Sequence, residues 1–182
     1  IVPGVYDFGG GLVVEAGYID TTTTVRQQSP TGGFDSIEFT GPFEAAPALL
    51  VDVQTMRNET AAEPPPVGPS TPWLTAHARN VGRDGAEVAL ERAEVDDGSV
   101  VSQNERIGYV AFSQGNFSLD ALLGDQIAAI TIESLITGQT IRGWDNKSGN
   151  GNRVDLNGAF ANAPLVFANM AFFLGLSSLP IA

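Results

Sequence analysis

The chain has 182 residues and a formal net charge of −12, and a surface this acidic is repelled by nucleic-acid phosphates and by anionic membrane surfaces. It contains no cysteine, which excludes disulfides, thiolate metal sites and a cysteine nucleophile. Hydrophobic residues make up 43% of the chain, and there are 21 glycines and 11 prolines, so we expect a packed core with many turns and few long helices.

The N-terminal half predicts short strands separated by turns and loops. Residues 5–19 hold a glycine-rich turn followed by an apolar strand, and residues 20–33 are polar enough to predict a loop or an extended arm. Alternating apolar residues predict strands within 34–39 and 48–56. The prolines of 58–72 are incompatible with a ladder strand and predict an exposed, stiff connector.

The C-terminal half continues in the same way. Alternation predicts strands over 73–80, 87–94, 106–112 and 127–136, and we expect a short helical turn over 117–123. Turn signals separate these strands, and strand–helix alternation is missing. The pattern therefore favours an antiparallel sandwich over a parallel α/β sheet.

One pattern occurs twice in the chain. Residues 37–51 match residues 154–168, with Gly, Phe, Ala and Pro recurring in register 117 positions apart, and residues 12–17 correspond loosely to residues 130–135. We interpret this as one supersecondary unit used twice. The apolar stretch 165–182 is interrupted by polar residues and proline, so it predicts a buried strand with a packed tail and no membrane insertion.

Together these elements predict an all-β chain. We expect an N-terminal strand and arm over 1–33, an antiparallel β-sandwich over 34–115, and a partial second repeat over 116–182 whose strands complete or extend the sandwich. Such a chain leaves many strand edges unpaired, and association with copies of itself would cover them. The sequence therefore predicts a homo-oligomer.

Several motifs occur in a fixed order between residues 37 and 115. They are Phe39, Phe43 and Ala46-Pro47-Ala48, then His77-Ala78-Arg79, then Glu105-Arg106-Ile107-Gly108-Tyr109-Val110-Ala111. In this order and spacing the segment resembles the H-type lectin fold, and more closely the lectin-like repeats of bacterial and phage-associated surface proteins. The resemblance implies a six-stranded antiparallel sandwich that commonly trimerises, with binding sites between protomers and no catalysis.

The chain departs from the sugar-binding members of that family at one place. Members that resemble snail agglutinins carry a Trp-His pair on the strand after the turn, whereas this chain has Glu91-Arg92-Ala93-Glu94 there. The aromatic platform is missing at that position, so specificity for N-acetylgalactosamine does not carry over. A fold resemblance alone does not assign a function.

Candidate ligand-binding residues lie on the predicted 73–80 strand. Trp73, His77 and Arg79 share one face of it, and they could form a polar patch with a ring for stacking on a sugar. A solvated or interface-facing strand face is the alternative, and core packing is the alternative for Trp73. Trp144 lies in a polar loop, where binding or an inter-subunit contact is expected. His77 is the only histidine, which excludes a two-histidine metal site.

Carboxylates concentrate around one predicted hairpin. They are Glu91, Glu94, Asp96, Asp97 and Glu105. Solvated acidic turns are the expected interpretation; calcium binding and acid–base catalysis on a glycoside are alternatives. Arg92 and Arg106 lie in the same stretch and could relieve the repulsion between carboxylates, so we expect that folding requires no metal or other cofactor.

Two functional hypotheses follow from the sequence. The first is a non-catalytic module that binds surface glycans or mediates adhesion at an extracellular, cell-surface or virion location. It would act within a homo-oligomer, which the resemblance implies is a trimer. The second is a structural subunit of a virion, fibre or other extracellular assembly without a ligand of its own. A polysaccharide-cleaving enzyme is a distant third, since no nucleophile–base pair is recognisable.

Overall fold

A computed structural model describes residues 2–25, 33–58, 74–92, 101–123, 126–137, 154–158, 160 and 162–168. These residues form strands and connecting segments and contain no helix, so the described part of the chain is all-β. The strands are β1 (Gly4–Asp7), β2 (Val13–Thr21), β3 (Thr24–Val25), β4 (Asp35–Glu38), β5 (Ala48–Val53), β6 (Leu74–Arg79), β7 (Gly85–Arg92), β8 (Glu105–Phe112), β9 (Gly115–Leu123) and β10 (Gln126–Ser134).

The first sheet contains four antiparallel strands in the order β1-β2-β8-β5. β8 lies between β2 and β5 and pairs with both along most of its length. Because alternate residues of a strand point to opposite faces, Ile107, Tyr109 and Ala111 of β8 share one face. Ile107 and Ala111 are buried, and Tyr109 packs against the same hydrophobic cluster.

The second sheet is built around β7. β6 and β4 pair with β7 in antiparallel register, and the two-residue β3 pairs with it in parallel. Leu74, Ala76 and Ala78 of β6 are buried on one face, which is therefore the inner face of that strand. Val88 and Leu90 of β7 are buried beside them.

Both four-stranded sheets contribute to one hydrophobic cluster. Val51 and Ile107 come from the first sheet, and Val88 and Leu90 come from the second. Phe39 and Phe43 add an edge-to-face ring pair with centroids 5.6 Å apart. Burial of this apolar surface is the main stabilising contribution to the fold.

Three local expectations from the sequence are wrong. Residues 117–123 belong to β9 and not to a helical turn; the apolar residues Phe117, Leu119, Ala121 and Leu123 alternate, and β9 pairs with β10 over its whole length. Within the predicted arm 20–33, β2 extends to Thr21 and β3 adds a short pairing, while 26–32 lie outside the described residues.

The third correction concerns the C-terminal apolar stretch. Residues 163–168 are not a buried strand: Leu165, Val166 and Phe167 are 82%, 66% and 75% exposed and no described strand lies beside them. The proline-rich connector from residue 59 onward, the loop 138–153 and the tail 169–182 lie outside the described residues.

The internal repeat has a structural counterpart. Glu15 of β2 accepts hydrogen bonds from the backbone N–H groups of Thr40-Gly41, at 2.8 and 2.6 Å. Glu133 of β10 accepts them from the equivalent Asn157-Gly158, at 2.9 and 2.7 Å. We call this arrangement the carboxylate clamp, and we call residues 4–112 the first unit and residues 115–168 the second unit.

Candidate ligand-binding site

The predicted polar patch on β6 is an ion-paired layer. His77 and Arg79 lie on the face of β6 that points away from the hydrophobic cluster, as predicted. His77 Nε2 contacts the carboxylate of Glu91, and Arg79 Nε donates to Glu87 Oε2 at 2.6 Å. The Arg79 guanidinium also lies 3.6 Å from the ring centroid of Phe34. These contacts link β6 to β7 and to Phe34. They also occupy the imidazole and guanidinium groups that a ligand of this patch would need.

The two candidate tryptophans cannot be placed relative to this patch. Trp73 and Trp144 both lie outside the described residues. The side chains of His77 and Arg79 are only 17% and 23% exposed. The described part of this surface is therefore a cross-strand contact layer between β6 and β7.

The predicted carboxylate cluster does not assemble in the described part of the chain. Glu91 is on the second sheet and contacts His77, whereas Glu105 is on the first sheet and is fully buried. Glu94, Asp96 and Asp97 lie outside the described residues. Among the residues described, no group of three or more histidines and carboxylates is placed to hold a metal ion.

Glu105 organises the turn that follows β5. Its Oε1 accepts hydrogen bonds from the backbone N–H groups of Arg57 and Asn58, both at 2.7 Å, and from Asn58 Nδ2 at 2.8 Å; its Oε2 accepts one from Thr55 Oγ1. Burial alone would raise the pKa of this carboxyl, but the hydrogen bonds from Thr55, Asn58 and Arg57 outweigh burial and lower it. Glu105 is an ionised structural acceptor.

Arg106 is ion-paired with Asp20, a carboxylate outside the predicted hairpin cluster. It points to the opposite face of β8 and binds Asp20 through two hydrogen bonds, each 2.9 Å long. The register explains this, because Arg106 is the direct cross-strand partner of Asp20 on β2. The hydrogen bond from Arg106 lowers the pKa of Asp20, and the same bond raises the pKa of Arg106.

A shallow groove lies on the outer face of the first sheet, next to this ion pair. Its volume is about 190 Å³. We call it the outer groove, and its walls and floor include Pro3, Ala16, Tyr18, Asp52, Gln54 and Gly108. It combines an aromatic ring, a carboxylate and an amide along one continuous stretch of sheet.

Two features of the sequence shape the outer groove. Gly108 supplies its floor, and a Cβ at that position would clash with the side chain of Gln54, which lies across the strand. Tyr18 is 49% exposed, and the Arg106 guanidinium lies 3.9 Å from its ring centroid. Asp20 accepts hydrogen bonds from Arg106, and Arg106 stacks on the ring of Tyr18, so these contacts restrain the orientation of the ring.

The sequence did not reveal the outer groove. Tyr18 and Gly108 are direct cross-strand partners, but they belong to strands that are far apart in the chain. Only the pairing of β2 with β8 brings them together. The available signal was weak: an exposed tyrosine in β2 and a glycine in a strand that otherwise alternates.

The chain matches no known family model, no curated protein and no solved structure. Within the described residues, no helix is long and apolar enough to span a membrane.

Proposed function

We propose that this chain is a non-catalytic glycan-binding or adhesion module whose ligand lies in the outer groove. The observation that carries the proposal is the exposed ring of Tyr18, which is stacked on Arg106 beside the polar groups of Asp52 and Gln54. A flat aromatic face suits the C–H side of a pyranose, and carboxylate and amide groups suit its hydroxyls. The module acts within a homo-oligomer outside the cell or on a virion surface.

The resemblance to H-type lectins supports the same proposal. Two mainly antiparallel sheets that share one hydrophobic cluster fit the sandwich that the resemblance implies. In this proposal the outer groove takes over the role of the aromatic platform that is missing at Glu91-Arg92-Ala93-Glu94.

A glycan array with three variants tests the proposal. Tyr18→Ala removes the ring from the outer groove, Trp73→Ala tests the surface predicted from sequence, and Phe8→Ala removes an aromatic side chain that is 55% exposed outside the groove. We expect saturable binding that is lost in Tyr18→Ala and kept in Phe8→Ala. Binding lost only in Trp73→Ala would move the site to β6, and no binding by the intact chain would contradict a glycan ligand.

A structural subunit of a virion, fibre or other extracellular assembly is the second candidate. The observation that favours it is the apolar surface of the second unit, where Leu165, Val166 and Phe167 are exposed. A silent glycan array together with stable oligomers would support this candidate. A polysaccharide-cleaving enzyme ranks third, because Arg106 holds Asp20 ionised, which does not suit a general acid.

A further inference from the structure

Both carboxylate clamps favour glycine at their second position. A Cβ at Gly41 would lie 3.1 Å from Glu15 Oε2, and a Cβ at Gly158 would lie 3.1 Å from Glu133 Oε2. At Gly158 it would also lie 2.6 Å from the ring of Phe160, which is closer than a real Cβ approaches another atom. A side chain at this position would press on the clamping carboxylate and on the ring, so the arrangement selects glycine in both units.

The two units differ in the residue that precedes this glycine. The first unit has Thr40 there, and the second unit has Asn157, whose side chain is exposed. An asparagine before a glycine is chemically labile, because the next backbone nitrogen can attack the side-chain amide within the same chain and glycine offers no side chain to hinder the attack. Threonine has no carbonyl carbon in its side chain and cannot react in this way.

We propose that Asn157 is a site of spontaneous covalent modification that the second carboxylate clamp controls. With the clamp open, the backbone nitrogen of Gly158 gives its proton to solvent and bonds to Cγ of Asn157, while the Cγ–Nδ2 bond breaks and Nδ2 leaves as ammonia. Water then opens the resulting succinimide at either of its carbonyl carbons, which gives aspartate or isoaspartate. The inference concerns the second unit and does not depend on the outer groove.

The closed clamp opposes the first step of this reaction. The N–H of Gly158 donates to Glu133 Oε2 at 2.7 Å, and the N–H of Asn157 donates to Glu133 Oε1 at 2.9 Å. Loss of the Gly158 proton would break a charge-assisted hydrogen bond and place a negative charge beside the carboxylate, which repels it. Because both N–H groups bind one carboxylate, the backbone between the two nitrogens is restrained as well. Asn157 is therefore protected while Glu133 holds the turn.

The modification prevents the clamp from forming again in its present geometry. An isoaspartate carries the main chain through Cγ, so an additional carbon atom separates the two N–H groups that now match the two oxygens of Glu133. An aspartate keeps the main chain but adds a negative charge close to Glu133. Either product weakens the contact between β10 and the turn at residues 157–158. The first unit keeps its clamp, because Thr40 does not react.

Mass spectrometry of the full chain tests the proposal. Trypsin cleaves after Arg153, so Asn157 lies in the peptide that begins at Val154, and fragmentation separates it from Asn162 and Asn169. We expect Asn157 to convert to both aspartate and isoaspartate in urea, and to convert more than about tenfold more slowly in the folded chain at the same pH. No conversion in urea would overturn the reactive site, and equal rates in the two states would overturn the protection.

A matched pair of variants assigns the protection to Glu133. Glu133→Gln removes the charge and one acceptor of the second clamp, and Glu15→Gln makes the same change in the first. We expect Glu133→Gln to speed the conversion of Asn157 by more than about tenfold and Glu15→Gln to leave it unchanged, with hydrogen exchange of β8 confirming that both variants are folded. A folded Glu133→Gln chain in which Asn157 converts as slowly as in wild type would overturn the role of the clamp.

A transplant into the first unit keeps the test decisive where either glutamine variant unfolds. Thr40 is exposed, and Thr40→Asn creates an Asn-Gly pair under the intact Glu15 clamp. We expect the introduced asparagine to convert in urea and to stay protected in the folded chain. Conversion at the same rate in both states would show that a clamping carboxylate does not protect such a pair, and it would overturn the proposal.

Discussion

Buried carboxylates in this protein act as acceptors for backbone N–H groups. Glu105 accepts from two consecutive amides after β5, and Glu15 accepts from two consecutive amides before the Phe43 turn. In both cases one carboxylate accepts hydrogen bonds from two backbone N–H groups of a turn, to which no described neighbouring strand supplies an acceptor. Charge-assisted bonds of this kind are stronger than neutral ones, and losing the acceptor leaves buried donors unpaired.

Replacing Glu105 should therefore destabilise the chain. Glu105→Gln directs an amide NH₂ group toward N–H donors, and each buried donor left unpaired costs about 1–3 kcal/mol. We expect a lower urea midpoint in Glu105→Gln and an unchanged one in the exposed control Glu44→Gln. Equal midpoints for the two variants would contradict the structural role of Glu105.

The lowered pKa of Glu105 also predicts part of the loss of folding stability at acidic pH. Because the native pKa of Glu105 lies below its ordinary value of 4.5, its ionised form stabilises the folded state above that pH. That contribution is lost as the pH falls through the native pKa. Stabilities of wild type and Glu105→Gln, measured by unfolding at progressively lower pH, should converge once the pH is below the native pKa of Glu105, and a difference that never narrows would argue against this assignment.

The raised pKa of Tyr109 predicts a loss of folding stability at alkaline pH. Burial, together with the charge and the hydrogen bond of Glu15, raises the pKa of Tyr109 from 10.0 to about 12. Its stabilising contribution is complete below pH 10 and disappears as the pH rises toward 12. Tyr109→Phe should remove one late-titrating phenol from the ultraviolet titration of the chain, and an unchanged titration at high pH would contradict the assignment.

At the scale of elements, Gly17 of β2 leaves the space that the Tyr109 ring of β8 occupies. A Cβ at Gly17 would meet the Tyr109 ring, whose hydroxyl donates to Glu15 Oε1 at 3.1 Å. Gly17→Ala should cost about 1–3 kcal/mol, which is typical of an overpacked core. In a Tyr109→Ala background the same change should cost much less, and a double-mutant cycle by urea unfolding measures the difference. Additive effects would show that the two residues do not compete for space.

The sequence predicted the elements whose side chains alternate cleanly. The inner faces of β6 and β8 follow from period-two patterning, because one side of each strand is apolar. It also indicated the Glu15–Glu133 correspondence. β9 was missed even though Phe117, Leu119, Ala121 and Leu123 alternate, because a short apolar run is ambiguous between helix and strand.

Tertiary pairing explains the remaining errors. The outer groove depends on the register of β2 with β8, which no local pattern encodes. The roles of His77 and Arg79 depend on which carboxylates lie opposite them on β7. The pairing of Arg106 with Asp20 likewise depends on the register of β2 with β8, which proximity in the sequence does not reveal.

At the scale of the whole molecule, we expect self-association. β10 has a free edge among the described residues, and apolar side chains are exposed in 165–167. Edges of this kind are usually covered in native proteins. Light scattering on the full chain should give a multiple of the 19.1 kDa protomer mass, with a trimer expected from the lectin resemblance. A protomer mass at micromolar concentration would contradict this prediction.

The central position of β8 has a consequence for synthesis on the ribosome. β2 and β5 leave the exit tunnel well before β8, which alone joins them into a sheet. During that interval the facing edges of β2 and β5 in the nascent chain have no strand between them. Pairing between residues so distant in sequence is slow, so the growing chain passes through a stage in which neighbouring nascent chains could exchange this strand.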